Sequence, residues 1–118
     1  MHITSTFAVY MYTLKKSLGQ HFLKDENICR KIVEQLQKKS FSQLLEVGPG
    51  GGALTKYLLQ IQNINFKTVE LDEEKVNYLI SIYPDLNSKI IHQNFLDIDM
   101  PFEKAFTVIG NFPYNISS

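Results

Sequence analysis

Three groups of residues in this 118-residue chain have types and spacings that could do chemistry. Gly48-Pro49-Gly50-Gly51-Gly52 follows the run Leu44-Leu45-Glu46-Val47, and Gly48, Gly50 and Ala53 fit the spacing G-x-G-x-x-G/A. Glycines placed after a first strand let the backbone approach a ligand closely and then turn into a helix N-terminus. A tight strand–helix turn is the plain alternative. Glu70 lies 22 residues beyond Gly48, at the end of a second apolar run. An acid at that position can accept from both hydroxyls of a ribose in nucleotide-binding parallel sheets. Asp72 competes for the role but reads better as the N-cap of the next helix, with Glu73 and Glu74 in its first turn. Loop and acid together point to an adenosine-containing cofactor. They leave open whether it is a nicotinamide dinucleotide or S-adenosylmethionine.

The third group is Asn111-Phe112-Pro113-Tyr114, directly after a fourth apolar run that ends at Gly110. Ligands bind at the carboxyl ends of parallel strands, and a fourth strand beside the first would turn this tetrapeptide toward the glycine loop. The chemistry it suits is attack by an exocyclic amine whose lone pair is delocalised into a ring. The Asn111 side-chain carbonyl and the Pro113 main-chain carbonyl can accept its N–H bonds and favour the geometry that frees the lone pair. Pro113 fixes the backbone without needing a hydrogen bond of its own. Tyr114 offers a face on which an extruded base can stack. With a sulfonium methyl donor and a neutral amine, no general base is needed before transfer, and alignment supplies much of the catalysis.

The elements that must hold these groups follow from periodicity. Asp25 to Lys39 reads as a helix with Asp25 as cap and Ile28, Ile32, Val33 and Leu36 on one stripe; Cys29 packs beside it. Strands are predicted over 44–47, 66–71, 89–92 and 105–109, and helices over 53–61 and 73–83, the latter ended by Pro84. Strand–helix alternation implies a parallel sheet with right-handed crossovers. Residues 1–13 are expected to be a loose arm. Their apolar stretch is too short, and Lys15 and Lys16 fall on the wrong side of it, for a secretory signal.

Composition is that of a globular chain: 44% hydrophobic, 20% charged, with 12 basic and 12 acidic residues. The zero net charge hides an asymmetry. Residues 1–39 hold seven basic and three acidic residues, a balance of +4, and residues 40–118 hold five and nine, a balance of −4. A single cysteine allows no internal disulfide and suits a reducing compartment. No apolar run approaches a membrane span of roughly 20 residues. Three scattered histidines and one cysteine indicate no metal site.

From Lys15 onward the chain resembles the small-subunit ribosomal RNA adenine N6,N6-dimethyltransferases, the kasugamycin-sensitivity family. The resemblance is carried by Lys16-Ser17-Leu18-Gly19-Gln20-His21-Phe22-Leu23, Glu46-Val47-Gly48-Pro49-Gly50, Val69-Glu70-Leu71-Asp72 and Gly110-Asn111-Phe112-Pro113-Tyr114-Asn115-Ile116-Ser117. The leader is the most family-specific of these. The resemblance implies a Rossmann-like class I S-adenosylmethionine-dependent methyltransferase fold. It also implies transfer of two methyls to each of two adjacent adenosines near the 3′ end of small-subunit rRNA, in a pre-30S-type particle. Carried over by position, His21, Leu23, Gly48, Gly50, Glu70, Asn94 and Asn111 would bind the cofactor. Asn111, Pro113 and Tyr114 would serve the target base. His21 stands where the family usually has Asn, and Phe112 where Leu is common. Asn94 stands where Asp usually accepts from the cofactor's adenine amino group; its amide must then present the carbonyl. His92 has no part in this site.

The expected organisation is an arm and leader over 1–24 and the first part of the methyltransferase domain over 25–118, cut after the fourth parallel strand. Family members are more than twice this long, adding further strands and a helical domain. Residues 1–118 alone are therefore expected to be weakly stable, with little or no turnover. A cytoplasmic monomer is expected, with Lys15, Lys16 and Lys24 meeting RNA phosphate. The alternatives are a nicotinamide-dependent oxidoreductase, which the leader and Asn111–Tyr114 do not support, and a non-catalytic RNA-binding assembly factor.

Overall fold

The computed structural model describes residues 11–13 and 26–110. Its elements in chain order are β1 (Met11–Thr13), α1 (Glu26–Gln37), β2 (Gln43–Val47), α2 (Thr55–Leu58), β3 (Asn65–Glu70), α3 (Glu73–Ile82), β4 (Ile90–His92) and β5 (Thr107–Gly110). Short 3₁₀ turns at Pro84–Ser88 and Phe95–Asp97 flank β4. The five strands form one sheet in the order β1-β5-β2-β3-β4, and every pairing is parallel. The α/β parallel architecture and the place of the fourth predicted strand beside the first are as the sequence predicts.

Strand side chains alternate between two covered faces, as they must in a buried parallel sheet. Leu44, Phe66 and Ile109 face the helices and pack with Cys29 and Leu36 of α1, Leu58 of α2 and Leu79 of α3. Leu45, Val47, Val69 and Val108 face the other way. They are covered by Phe95, Ile98, Phe102 and Phe106 from the irregular stretch between β4 and β5. The buried positions of α1, Cys29, Val33 and Leu36, recur at helical spacing, which is why this segment coils and docks by one stripe. Asp72 caps α3: its side chain accepts from the Glu74 and Lys75 N–H groups at 2.9 and 3.4 Å.

Two elements differ from expectation. Met11–Thr13 falls in the stretch read as a loose arm, yet it pairs with β5 from Met11 opposite Val108 to Thr13 opposite Gly110. An unpaired β5 would leave a row of backbone donors and acceptors open, and Met-Tyr-Thr is compatible with strand geometry. The helix predicted over 53–61 is regular only over Thr55–Leu58. Beyond it, Gln60 and Ile61 donate to Tyr57 and Leu58, three residues back, so the helix tightens into 3₁₀ turns. Asn63 then turns the chain at φ 63°. The cap predicted at Asp25 lies outside the described residues.

Gly110 of β5 lies opposite Val47 of β2. A Cβ there would collide with the main-chain carbonyl of Val47. Gly110→Ala should therefore strain the β2–β5 pairing and destabilise the chain by about 1–3 kcal/mol, read as a lowered urea midpoint. An unchanged midpoint would show that the strands are free to separate.

Candidate active site

The parallel register brings the chemistry-bearing residues to one edge. Val47 pairs with Val69 and with Gly110, so the chain leaves β2, β3 and β5 at the same level. Gly48 follows β2 directly, and its N–H donates to the Val69 carbonyl at 3.0 Å. Gly48, Gly50 and Gly52 have φ of 69°, 57° and 86°, a conformation that side chains disfavour. This is the physical reason for glycine in the loop. Gly52 donates back to Pro49 at 2.9 Å, and Lys56 donates to Gly52 at 3.0 Å as the chain enters α2.

Glu70 ends β3 and is 7% exposed. One carboxylate oxygen accepts from the Asp72 N–H at 3.0 Å and the other from the Gly50 N–H at 3.4 Å. The acid thus spans the glycine loop and the start of α3, and each oxygen keeps a lone pair for a further donor. Leu71, the next residue, is 63% exposed. Its carbonyl lies 3.0 Å from Nε2 of His92, which ends β4. Asn94 follows β4, and its Oδ1 accepts from the Leu96 N–H at 3.0 Å, capping the 3₁₀ turn. Leu96 is 55% exposed. Two exposed leucines thus follow the two acceptor side chains, Glu70 and Asn94, on neighbouring strands.

Glu46 is the residue that sequence reasoning passed over. Its side chain is on the helix-facing side of β2 and 2% exposed. Oε1 accepts from the Thr55 hydroxyl at 2.7 Å and the Thr68 hydroxyl at 3.1 Å, and both threonines are fully buried. Burial raises its pKa from 4.5 to about 7; the two hydroxyls partly oppose this, and the charge of Glu70 adds to it. The available signal was a lone acid in the apolar run Leu44–Val47.

The structure therefore brings together Gly48, Gly50 and Glu70, with Asn94 one strand farther along the same edge. His21, Leu23, Asn111, Pro113 and Tyr114 lie outside the described residues, as do Lys15, Lys16 and Lys24. Among the described residues, no helix is long and apolar enough to cross a membrane.

A parallel sheet with a glycine loop after its first crossover strand and an acid ending the next is a Rossmann-like arrangement, which methyltransferases share with dinucleotide-binding proteins. Residues 11–118 match the ribosomal RNA adenine dimethylase family, and the chain belongs to it. The chain is 52% identical over 107 residues to the ribosomal RNA small subunit methyltransferase A of Flavobacterium johnsoniae, covering 88% of this chain and 41% of that protein. Proteins of the same name from Parabacteroides distasonis and Cytophaga hutchinsonii are 48% and 45% identical, each over 88% of this chain and over 40% and 42% of their own lengths. The chain thus spans about two fifths of the length of these relatives.

The raised pKa of Glu46 has a consequence for stability. The folded chain keeps this proton up to about pH 7, whereas the unfolded chain releases it near 4.5. Folding stability contributed by this site should fall as pH rises between those values and level off above, by about 3 kcal/mol. Glu46→Gln should remove that fall and leave the variant more stable than the parent at alkaline pH. Urea unfolding on either side of pH 7 checks it, and parallel pH dependence in both proteins would refute the assignment.

Proposed function

We propose that this chain is the cofactor-binding part of an rRNA adenine N6,N6-dimethyltransferase that uses S-adenosylmethionine. The observation that carries the choice of cofactor is the match to the ribosomal RNA adenine dimethylase family, and the charge around the glycine loop supports it. Glu70 touches the loop through Gly50, and Glu46 lies buried where the loop meets β2 and α2. Lys56, the basic residue of α2, turns to Glu26 at 3.0 Å instead. A dinucleotide would bring a diphosphate to this acidic place, at a helix of only four regular residues. A cationic ligand suits it better.

Glu70 is proposed to hold the ribose hydroxyls. Asn94 is proposed to accept from the adenine amino group, with Leu71 and Leu96 supplying apolar walls. Oδ1 of Asn94 already accepts from Leu96, so the added bond must use its second lone pair. Gly48 and Gly50 give the cofactor close access to the backbone, and His21 and Leu23 are proposed to approach from the leader. S-adenosylmethionine, when bound, supplies a methyl group on a cationic sulfur. Asn111 and Pro113 would accept the N–H bonds of the target amine, and Tyr114 would stack its base.

The target is proposed to be two adjacent adenosines of small-subunit rRNA in a pre-30S-type particle, with Lys15, Lys16 and Lys24 on phosphate. The names of the relatives support this substrate. The buried Cys29 is compatible with a reducing cytoplasm, and a monomer is proposed. Turnover is assigned to the whole protein. Residues 1–118 by themselves should give little or none, and measurable methylation of precursor particles by them would overturn that part.

Isothermal titration should show binding of S-adenosylmethionine and none of NADH. Glu70→Ala should weaken the former about 10- to 100-fold, the loss of a hydrogen-bonded charge. Binding of NADH in preference would support an oxidoreductase. Particle binding that survives Glu70→Ala without any cofactor affinity in the parent would support an assembly factor.

A further inference from the structure

We propose that Glu46 is the positioning residue of the glycine loop, holding its far end at Thr55 and tying it to Thr68 on the neighbouring strand. The geometry is specific. Glu46 is the penultimate residue of β2, Thr55 is the first residue of α2, and the loop is the chain between them. Thr68 sits directly opposite Glu46 in the β2–β3 register. One oxygen receives both hydroxyls, so a single atom sets the distance from the loop's exit to β3. The same strand carries Glu70 two residues on, whose carboxylate reaches Gly50 in the middle of the loop. Two acids thus fix three points: Glu46 the exit, and Glu70 the middle and the start of α3.

A carboxylate is a poor choice for packing alone. Leu44, on the same face of the same strand, shows that this layer accepts an apolar side chain. Two hydroxyl donors do not replace the hydration a buried anion loses. Its advantage is an oxygen that can accept both hydroxyls at once, which an apolar side chain lacks. Among the described residues, Glu70 on β3 is the charged group that acts on it. Lys56 of α2 is exposed and paired with Glu26, the ionisable residues of α3's first turn are exposed, and β5 carries none. The role matters for the cofactor only if the reading above holds, whereas loop geometry can be measured without a ligand.

Amide hydrogen exchange of the unliganded chain tests it. Thr55→Val and Glu46→Leu should each lower protection of the amides of Gly50 to Leu58 about ten-fold or more, while Leu45 and Val69 change little. Thr55→Ser should restore protection. In the parent, loop protection corrected for intrinsic exchange should fall several-fold as pH passes upward through about 7, because ionisation favours openings that rehydrate the carboxylate, and in Glu46→Gln it should not. Unchanged loop protection in Thr55→Val, or a loss spread evenly over β2 and β3, overturns the proposal. Should Glu46→Leu fail to fold, the Thr55→Val and Thr55→Ser pair decides. S-adenosylmethionine titration of the same variants should weaken in the same order. If the parent binds none while the exchange pattern holds, the cofactor reading fails and the positioning role stands.

Discussion

The register of β2 is the constraint on which the site depends. This strand lies between β3 and β5, and its last residue, Val47, pairs with Val69 on one side and Gly110 on the other. A slip of one residue would turn every side chain to the opposite face. Glu46 would then enter the layer formed by Phe95, Ile98, Phe102 and Phe106, and a neighbouring apolar residue would take its place beside Thr55 and Thr68. The carboxylate would leave its two hydroxyl donors, and both threonines would lose their acceptor. The alternation Leu44, Leu45, Glu46, Val47 thus locates the glycine loop, the end of β3 and the end of β5 at one level.

Stability and site geometry pull in opposite directions at Glu46. An apolar residue there would strengthen the core, since burying a carboxylate with only hydroxyl partners costs more than it returns. The surrounding core can bear that cost: Leu36, Leu44, Leu58 and Leu79 on the same side are fully buried. The charge of Glu70 opposes ionisation of Glu46 further. A cation bound above the two acids would relieve both burdens, whereas a diphosphate would increase them. The electrostatics of the fold therefore bear on the sign of its ligand.

Much of this arrangement was legible in the sequence. The strands β2 to β5, their parallel order, the stripe on α1 and the cap at Asp72 follow from local periodicity and side-chain chemistry, which dominate where segments are well patterned. Glu70 was legible because its distance from the loop reflects one crossover. The failures have equally local causes. Leu54, Leu58 and Ile61 are spaced for burial on one face, but apolar spacing does not report whether the backbone bonds four or three residues back. Three residues at Met11–Thr13 are too few to show alternation, and their pairing depends on β5, nearly a hundred residues away. Glu46 was invisible as a site because its partners, Thr55 and Thr68, become neighbours only after the sheet and crossover form. The role of Asn94 comes from the resemblance alone, and the structure adds that its oxygen also accepts from Leu96.

The short strand β1 also ends at the same edge of the sheet as β5. Parallel strands deliver their following residues to the same edge, and Thr13 ends opposite Gly110. The chain therefore enters the basic leader and the Asn111–Tyr114 segment from adjacent positions on the sheet. Lys15 and Lys16 follow Thr13 by two and three residues, while Asn111 follows Gly110 at once. The acids lie on the other side of β5, at Glu46 and Glu70. Among the described residues, this edge of the sheet is therefore acidic on the β2–β3 side of β5. On the proposed reading these acids serve a cationic cofactor, and the groups assigned to RNA and to the target amine follow Thr13 and Gly110 in the sequence.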